Sequence, residues 1–524
     1  MNKLFHLLEN EPKWLYLFCF LLAIPAFFIN LGLMPILADE PTRAIVAMEM
    51  MFSENYWVPK INDVFYYRKP PFYNWIMIAF FKVTGSMSEF VVRLPSVIPL
   101  FAFGATIYWW VKKHLNAKIA FFAAAMFVTC GRMLIYASML GHIDIFYSWI
   151  TFFSFIVIVE CFKKEKWLML FVVSYFLAGI GFLCKGLPTL IFQAFTLLAI
   201  FIAFKKFKKL ISWEHMLGIV LFTLIVGGYF FIYSKYNALD GWVEQLWDQS
   251  AQRTVIDKAW YESLLHIVKF PLDHIYHLAP WSLLVIFIFK KGFRKEIWNN
   301  YFLKSITLIF LVNIPIYWLS PGYFPRYLFM LYPIFFIVMA YGFFTSTNQL
   351  KHNIVKYAFY VMGVALVAMP FALLFVELQV TAKILKAAAV LVLAAIALVL
   401  AFKLKEHKYI AYVMMLLVFR IGFDWFVLPH RLANSRELEF KIEPIRVAKE
   451  NNDLQIYDWT PVSHNATYYI ERERKEVLSL KKGWQKGQNH IVGKHRFKEN
   501  PELILVDSFS INYNQMELYV GRVQ

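Results

Sequence analysis

Apolar runs long enough to cross a bilayer recur along this chain, and they decide its fold class before any motif is read. A hydrocarbon core roughly 30 Å thick takes about 20 apolar residues in a helix, and in lipid every backbone N–H and C=O must be paired within such an element. About thirteen spans can be drawn, at residues 14–32, 90–111, 117–137, 142–162, 167–183, 187–204, 216–233, 275–289, 303–319, 327–344, 354–376, 384–402 and 409–428. The run 275–289 is the shortest of them. Hydrophobic residues make up 60% of the 524, against about 45–50% in soluble chains. The predicted class is a polytopic α-helical membrane protein, residues 1–428, followed by a small α/β domain outside the membrane, residues 429–524.

Loop charge sets the orientation. Lys112, Lys113 and Lys118 follow the second span, Lys163, Lys164 and Lys166 the fourth, and Lys205, Lys206, Lys208 and Lys209 the sixth. The pattern repeats with Lys290, Lys291, Arg294 and Lys295, then Lys351 and Lys356, then Lys403, Lys405 and Lys408, while the intervening short loops hold few cations. Positive loops stay in the cytoplasm. The N-terminus is therefore expected inside and the C-terminus outside. The formal charge of +18 is thereby dispersed over short loops, which argues against a nucleic-acid partner, since that needs one continuous basic face. The four cysteines all fall in or at the ends of spans, so they outline no disulfide framework and match no metal-site spacing.

Three outer segments are too long to be turns: 34–89, 234–274 and the tail. In the first, Ile45, Met48, Met51 and Phe52 carry a helical spacing that suits a helix in the membrane interface. Pro70-Pro71 is expected to open a helix over 72–82. Lys69 then stands at a helix N-terminus, where anions are favoured. In the tail, 437–451 reads as an amphipathic helix and 454–459, 476–480, 502–506 and 516–520 as strands.

Charge converges on the outer face. Asp39 and Glu40 follow the first span, with Arg43 close by. Arg93 opens the second span, His142 and Asp144 the fourth, Lys185 lies between the fifth and sixth, and Arg326 precedes the tenth. A lone Lys or Arg at a span end is usually an interfacial anchor, and a single histidine there is a weak metal ligand. Carboxylates within spans, by contrast, face the bundle interior and pair. Two carboxylates with Arg43, Lys69, Lys185 and Arg326 on one face suit a phosphate held by cations and a proton taken from a hydroxyl.

The runs Ala38-Asp39-Glu40-Pro41-Thr42-Arg43 and Tyr67-Arg68-Lys69-Pro70-Pro71 with Trp75 carry a family resemblance. So do Arg93-Leu94-Pro95, Ile143-Asp144, Gly181-Phe182-Leu183-Cys184-Lys185-Gly186 and Ala279-Pro280-Trp281. In this order the chain resembles the ArnT/protein O-mannosyltransferase branch of the GT-C membrane glycosyltransferases. The resemblance implies an inverting transferase with a polyprenyl-phosphate sugar donor, a lipid A-like or protein acceptor and an outward-facing site. It makes Asp39 the general base or acceptor-positioning carboxylate, Asp144 and Glu40 the further catalytic candidates, and Arg43, Lys69, Lys185 and Arg326 the donor-phosphate contacts. Arg68 stands where the branch usually carries a carboxylate that contributes to a metal site, so the resemblance fixes no cofactor and leaves a divalent metal open, and an extra residue separates the acidic pair from Arg43. A transporter or lipid flippase would also explain the spans, but not the long outer segment joining Asp39 to Lys69.

Overall fold

A computed structural model describes residues 8, 11–251, 260–320, 322–376, 380–435, 438–458, 460–510 and 517–523, side chains of 246–251, 260–264 and 374 excepted. Positions 437, 459 and 516, at the edges of expected tail elements, lie outside the described residues. Among the described residues, eight helices are long and apolar enough to cross a membrane: Glu89–His114, Ile143–Lys163, Trp167–Lys185, Trp213–Tyr233, Tyr301–Trp318, Gln349–Leu373, Lys383–Lys403 and Lys408–Ala433. The count rises to 10 if two bent pairs are each one span. Three further expected spans coincide with shorter apolar helices, Lys13–Phe28, Pro188–Ala203 and Tyr332–Thr345. The chain is a polytopic membrane protein, with eight to ten full-length spans among the described residues where about thirteen were expected along the chain.

The two bends have local causes. Helix Ala117–Thr129 breaks by 45° before Gly131–Met139, because Cys130 takes an extended conformation. The gap is filled by another backbone: Gly131 N–H donates to the Ala279 carbonyl at 2.7 Å, and a Cβ at Gly131 would lie 3.2 Å from that oxygen. On the other side of this contact the chain turns by 119° between Leu265–His277 and Trp281–Phe289. The second piece is a nine-residue 3₁₀ helix, about 18 Å long at roughly 2 Å per residue, too short to span. The run 275–289 is thus a corner and not one straight span. Elsewhere small residues set helix spacing, as lipid supplies no hydrophobic drive between helices. A Cβ at Gly218 would fall 2.6 Å from the Tyr175 ring, so helices Trp167–Lys185 and Trp213–Tyr233 meet there.

The lysine loops gather at one end of the bundle. Lys118 pairs with Glu406 at 2.6 Å and Lys206 with Glu165 at 2.9 Å, and Lys351 caps the Ile286 carbonyl at 2.6 Å. Segment 34–89 lies at the other end. It forms helix Glu40–Phe52, a two-stranded hairpin (β1, Lys60–Ile61; β2, Val64–Phe65) and helix Phe72–Thr84. Helix Glu40–Phe52 is buried along nearly its whole length. It is enclosed between the spans and the outer tail, where the apolar spacing had suggested a helix resting in the interface.

The tail folds around its own core, which includes Val447, Ile456, Ile470, Ile491 and Leu518. Helices Glu439–Glu450 and His464–Arg474 accompany five strands: β3, Leu454–Tyr457; β4, Leu480–Lys481; β5, Asn489–Gly493; β6, Leu503–Ser510; and β7, Glu517–Val523. Their order is β4-β3-β5-β7-β6, parallel among the first three and antiparallel among the last three. Helix His464–Arg474 docks on the membrane unit. Tyr469 OH accepts from Ile36 N–H at 3.0 Å, Asn465 donates to the Ile36 carbonyl at 3.0 Å, and Arg472 reaches Glu89 at 2.9 Å.

One contact in this interface is acidic on both sides. Glu49 of helix Glu40–Phe52 and Glu471 of helix His464–Arg474 are both buried and lie within electrostatic reach of one another, so burial and like charge favour the protonated form. Burial raises Glu49 from 4.5 to about 7 despite backbone N–H donors at Asp63 and Asn62. Because the folded state holds the proton more tightly, the pair's contribution to docking is fully present below about 4.5 and is lost as pH rises through about 7. Heat unfolding of the purified protein should show stability falling from pH 5 to pH 8, and Glu471→Gln should flatten that slope and raise Tm at pH 8. A slope that survives the substitution would place its origin elsewhere.

Candidate active site

Ala38 has a left-handed backbone (φ 54), which turns the chain so that Asp39 stands at the N-cap of helix Glu40–Phe52. Consecutive helical residues point about 100° apart, so the two carboxylates diverge. Asp39 faces out, with its side chain 61% exposed, and pairs with Arg326. Glu40 points inward and is fully buried. It accepts from Arg93 Nε at 2.9 Å and Nη2 at 3.1 Å, from Leu37 N–H at 2.8 Å and from Gly141 N–H at 2.6 Å. Arg93 in turn donates to the Leu31 and Pro35 carbonyls at 2.7 and 2.9 Å. Glu40 and Arg93 were both expected in the outer-face charge cluster. The structure instead uses them as a buried clamp, because each Glu40 oxygen is already occupied by scaffold donors.

Six of the predicted site residues converge. Asp39, Arg43, Lys69, Asp144, Lys185 and Arg326 line one cleft of about 60 Å³ together with His142, Ile143 and Tyr327. Each is delivered by a local constraint. Gly186, at φ +81, stops helix Trp167–Lys185 one residue after Lys185, whose ammonium bonds Asp144 and lies 4.9 and 4.4 Å from the Tyr147 and Tyr327 rings. Lys69 Nζ donates to the Lys185 carbonyl at 3.4 Å. Arg43 is held by Tyr66 OH at 2.8 Å, and its carbonyl accepts from Asn74 at 2.9 Å. Arg326 sits in the 3₁₀ turn Pro325–Leu328 and reaches both carboxylates, Asp39 directly and Asp144 at 3.5 Å. Burial works against the charge of Arg326, but Asp144 and Asp39 outweigh it and raise its pKa above the ordinary value.

Four cations against two carboxylates leave a positive excess in a site where low dielectric amplifies each charge. The Arg43 Nη1 and Arg326 Nε atoms are buried without hydrogen-bond partners among the described residues, although Arg326 Nε is 3.5 Å from Asp144. Buried donors of this kind are costly unless something accepts from them. Such a cleft suits an anion and not a divalent cation: both carboxylates are already neutralised by Lys185 and Arg326. No group of three metal-ligating side chains converges among the described residues. A larger cavity of about 690 Å³ lies nearby, with apolar walls including Met362, Leu366, Met369, Met415 and Phe419 and with Arg132 and Arg431 among its polar groups. Arg132 lies within electrostatic reach of Asp144 and Arg326.

Sequence reasoning passed over the aromatic and amide supports, Tyr66, Asn74, Tyr147 and Tyr327. Tyr66 and Tyr327 are visible as neighbours of charged motifs, but Asn74 and Tyr147 lie within helices and carry no separate signal. Loss of Arg93 should be severe for the scaffold. Arg93→Met strands the buried Glu40 charge at a cost of about 3–5 kcal/mol, read as a large drop in Tm of purified protein. An unchanged Tm would show that the clamp is dispensable.

Comparison with known proteins agrees with this architecture. The family model described as dolichyl-phosphate-mannose-protein mannosyltransferase matches residues 68–229. A curated relative from Proteus mirabilis (strain HI4320), an undecaprenyl phosphate-alpha-4-amino-4-deoxy-L-arabinose arabinosyl transferase, is 25% identical over 316 residues, 58% of this chain and 55% of that protein. A protein of the same description from Shewanella sediminis (strain HAW-EB3) is 31% identical over 112 residues, 20% of each. The chain thus spans about half the length, or less, of the curated relatives it matches. The crystal structure of ArnT from Cupriavidus metallidurans bound to undecaprenyl phosphate superposes with a TM-score of 0.71 at 13% identity, covering 97% of this chain and 98% of that one. Its apo form gives 0.66, with 98% of both chains covered. The chain has the ArnT-like GT-C fold.

Proposed function

We propose that the protein is an inverting glycosyltransferase that moves a sugar from a polyprenyl phosphate to an acceptor at the outer face of the bacterial inner membrane. One observation carries the reading: a cleft with excess positive charge in which buried Arg43 and Arg326 nitrogens lack acceptors. A donor phosphate supplies those acceptors, and Arg43, Lys69, Lys185 and Arg326 hold it through charge-assisted bonds. They stabilise the phosphate as it takes the electron pair of the breaking glycosidic bond. Asp144, buried between Lys185 and Arg326, fixes those two cations. Asp39, the exposed carboxylate at the cleft mouth, orients the acceptor opposite the leaving phosphate. The neighbouring apolar cavity with its arginines suits the chain and head of a lipid substrate. The relatives' names point to the same donor class, and residues 1–428 are assigned the catalytic unit and 429–524 the outer domain.

The test is transfer in sealed vesicles from a panel of labelled undecaprenyl-phosphate sugars, 4-amino-4-deoxy-L-arabinose and mannose among them. Lys69 is the cleanest phosphate probe because it is only half-buried. Lys69→Ala removes a contact worth about 1.5–3 kcal/mol, so transfer at limiting donor should fall by roughly one to two orders of magnitude. Asp39→Asn should lower kcat by about 10²-fold, the cost of a misplaced reactant, with donor KM little changed. A folded Lys69→Ala protein with wild-type donor dependence would remove the phosphate assignment.

Orientation follows the lysine loops: they face the cytoplasm, and the cleft and outer domain face away from it. A single cysteine replacing exposed Lys482 should react with an impermeant thiol reagent in intact cells, or in spheroplasts where an outer membrane intervenes. One replacing Lys206 should not. Labelling at Lys206 would move the site to the cytoplasmic side.

A further inference from the structure

Every carboxylate near the cleft is already occupied. Asp39 is bonded to Arg326, Asp144 to Lys185 and Arg326, and Glu40 takes donors from Arg93, Leu37 and Gly141. A carboxylate engaged by a guanidinium or ammonium must give up a charge-assisted contact before it can take another donor. One group in the cleft differs. His142 lines it, is 5% exposed, and its Nε2 is buried with no hydrogen-bond partner among the described residues.

The ring is presented by fixed backbone. The His142 carbonyl accepts from Ser96 Oγ at 2.8 Å and Tyr73 OH at 3.3 Å, and the N–H of Gly141 is held by Glu40 at 2.6 Å. Gly141 is required for this path, since a Cβ there would lie 2.6 Å from the Val92 carbonyl oxygen. Charged groups face the ring from three elements: Asp144 on its own helix, Asp39 and Glu40 at the start of helix Glu40–Phe52, and Arg326 on the 3₁₀ turn. Lys69, Arg43 and Lys185 line the same cleft. Burial, with Arg326 beside it, outweighs the pull of Asp144, Glu40 and Asp39 and favours the neutral imidazole, which has a lone pair to offer at neutral pH.

We infer that His142 Nε2 takes the proton from the acceptor, and that the acceptor group is therefore an alcohol hydroxyl and not an already ionised phosphate. This deepens the transferase reading and rests on it. In the step, the acceptor oxygen forms a bond to the anomeric carbon as the bond from that carbon to the phosphate oxygen breaks. The phosphate leaves with the electron pair, the hydroxyl proton passes to Nε2, and the imidazolium later returns it to solvent. Asp39 positions the hydroxyl, and His142 removes its proton.

The experiment uses whichever donor supports transfer in the vesicle assay, with decyl glucoside as hydroxyl acceptor and decyl phosphate as ionised acceptor. Wild type should glycosylate the glucoside. His142→Ala and His142→Gln should each lower kcat by about 10²–10⁴, with undecaprenyl phosphate affinity within about twofold of wild type. Added imidazole should restore His142→Ala in proportion to its free-base fraction, a rescue that a merely structural ring would not show. His142→Gln keeps the side-chain volume and hydrogen-bonding capacity, so it remains informative if the alanine variant does not fold. Wild-type rates in His142→Gln, or transfer to decyl phosphate alone, overturn the assignment while leaving the transferase reading intact. A folded wild type that leaves every donor in the panel untouched overturns both.

Discussion

Glu40 gathers donors from three separated stretches of chain, and the rest of the site hangs on that gathering. Its oxygens bind Arg93 at the start of the second span, Leu37 just before its own helix, and Gly141 in the connection to the fourth. Arg93 then ties the end of the first span through Leu31 and Pro35. A buried ion pair adds little net stability over an apolar pair, but it is costly to break on one side. It therefore acts as a register mark: the spans assemble with Glu40 opposite Arg93 or not at all. With that register fixed, Asp39 and His142, each next to a clamp residue, are delivered to the cleft from opposite sides.

The cleft itself is organised by charge imbalance. Lys185 lies between two tyrosine rings and on Asp144, and Arg326 bridges both carboxylates. These pairings keep four cations together without a ligand while leaving Arg43 Nη1 and Arg326 Nε poorly satisfied. An anion entering the cleft meets preorganised donors and pays little for reorienting them, which is the arrangement that stabilises charge developing on a leaving phosphate. The same pairings leave both carboxylates engaged with cations and not with each other.

Much of the membrane fold is legible in the sequence, because bilayer thickness imposes a length on every apolar run and loop lysines mark one end. The shortest run departs furthest from a straight span: 275–289 turns a corner at Ala279, whose carbonyl fills the break before Gly131, a contact between residues far apart in sequence. Six charged residues named for one face do line one cleft, since placing each at a span end fixes its depth. Depth does not fix direction. Asp39 and Glu40 share a depth and point to different partners, and Arg93 belongs with the second of them. In the tail, helix His464–Arg474 escaped notice because residues 466–471 are buried consecutively between the spans and the sheet core, which erases the one-sided stripe that sequence periodicity detects. Strand β5 was missed too, being a short central strand that begins with the polar pair Asn489 and His490.

That same helix gives the outer domain a mechanical connection to the chemistry. Tyr469 and Asn465 bond the N–H and carbonyl of Ile36, two residues before Ala38 takes its left-handed turn into Asp39. Arg472 and Lys441 converge on Glu89, at the head of the span that carries Arg93. The outer domain thus grips both strands of chain that meet at the Glu40 clamp, and it does so beside two buried carboxylates, Glu471 and Glu49, the latter on the helix that begins at the site. A left-handed alanine costs about 1 kcal/mol or more and persists only where its surroundings over-determine it. Here the Ile36 contacts on one side and Glu40 on the other supply that constraint, so the position of the exposed Asp39 carboxylate is set jointly by the membrane bundle and by the domain that covers it.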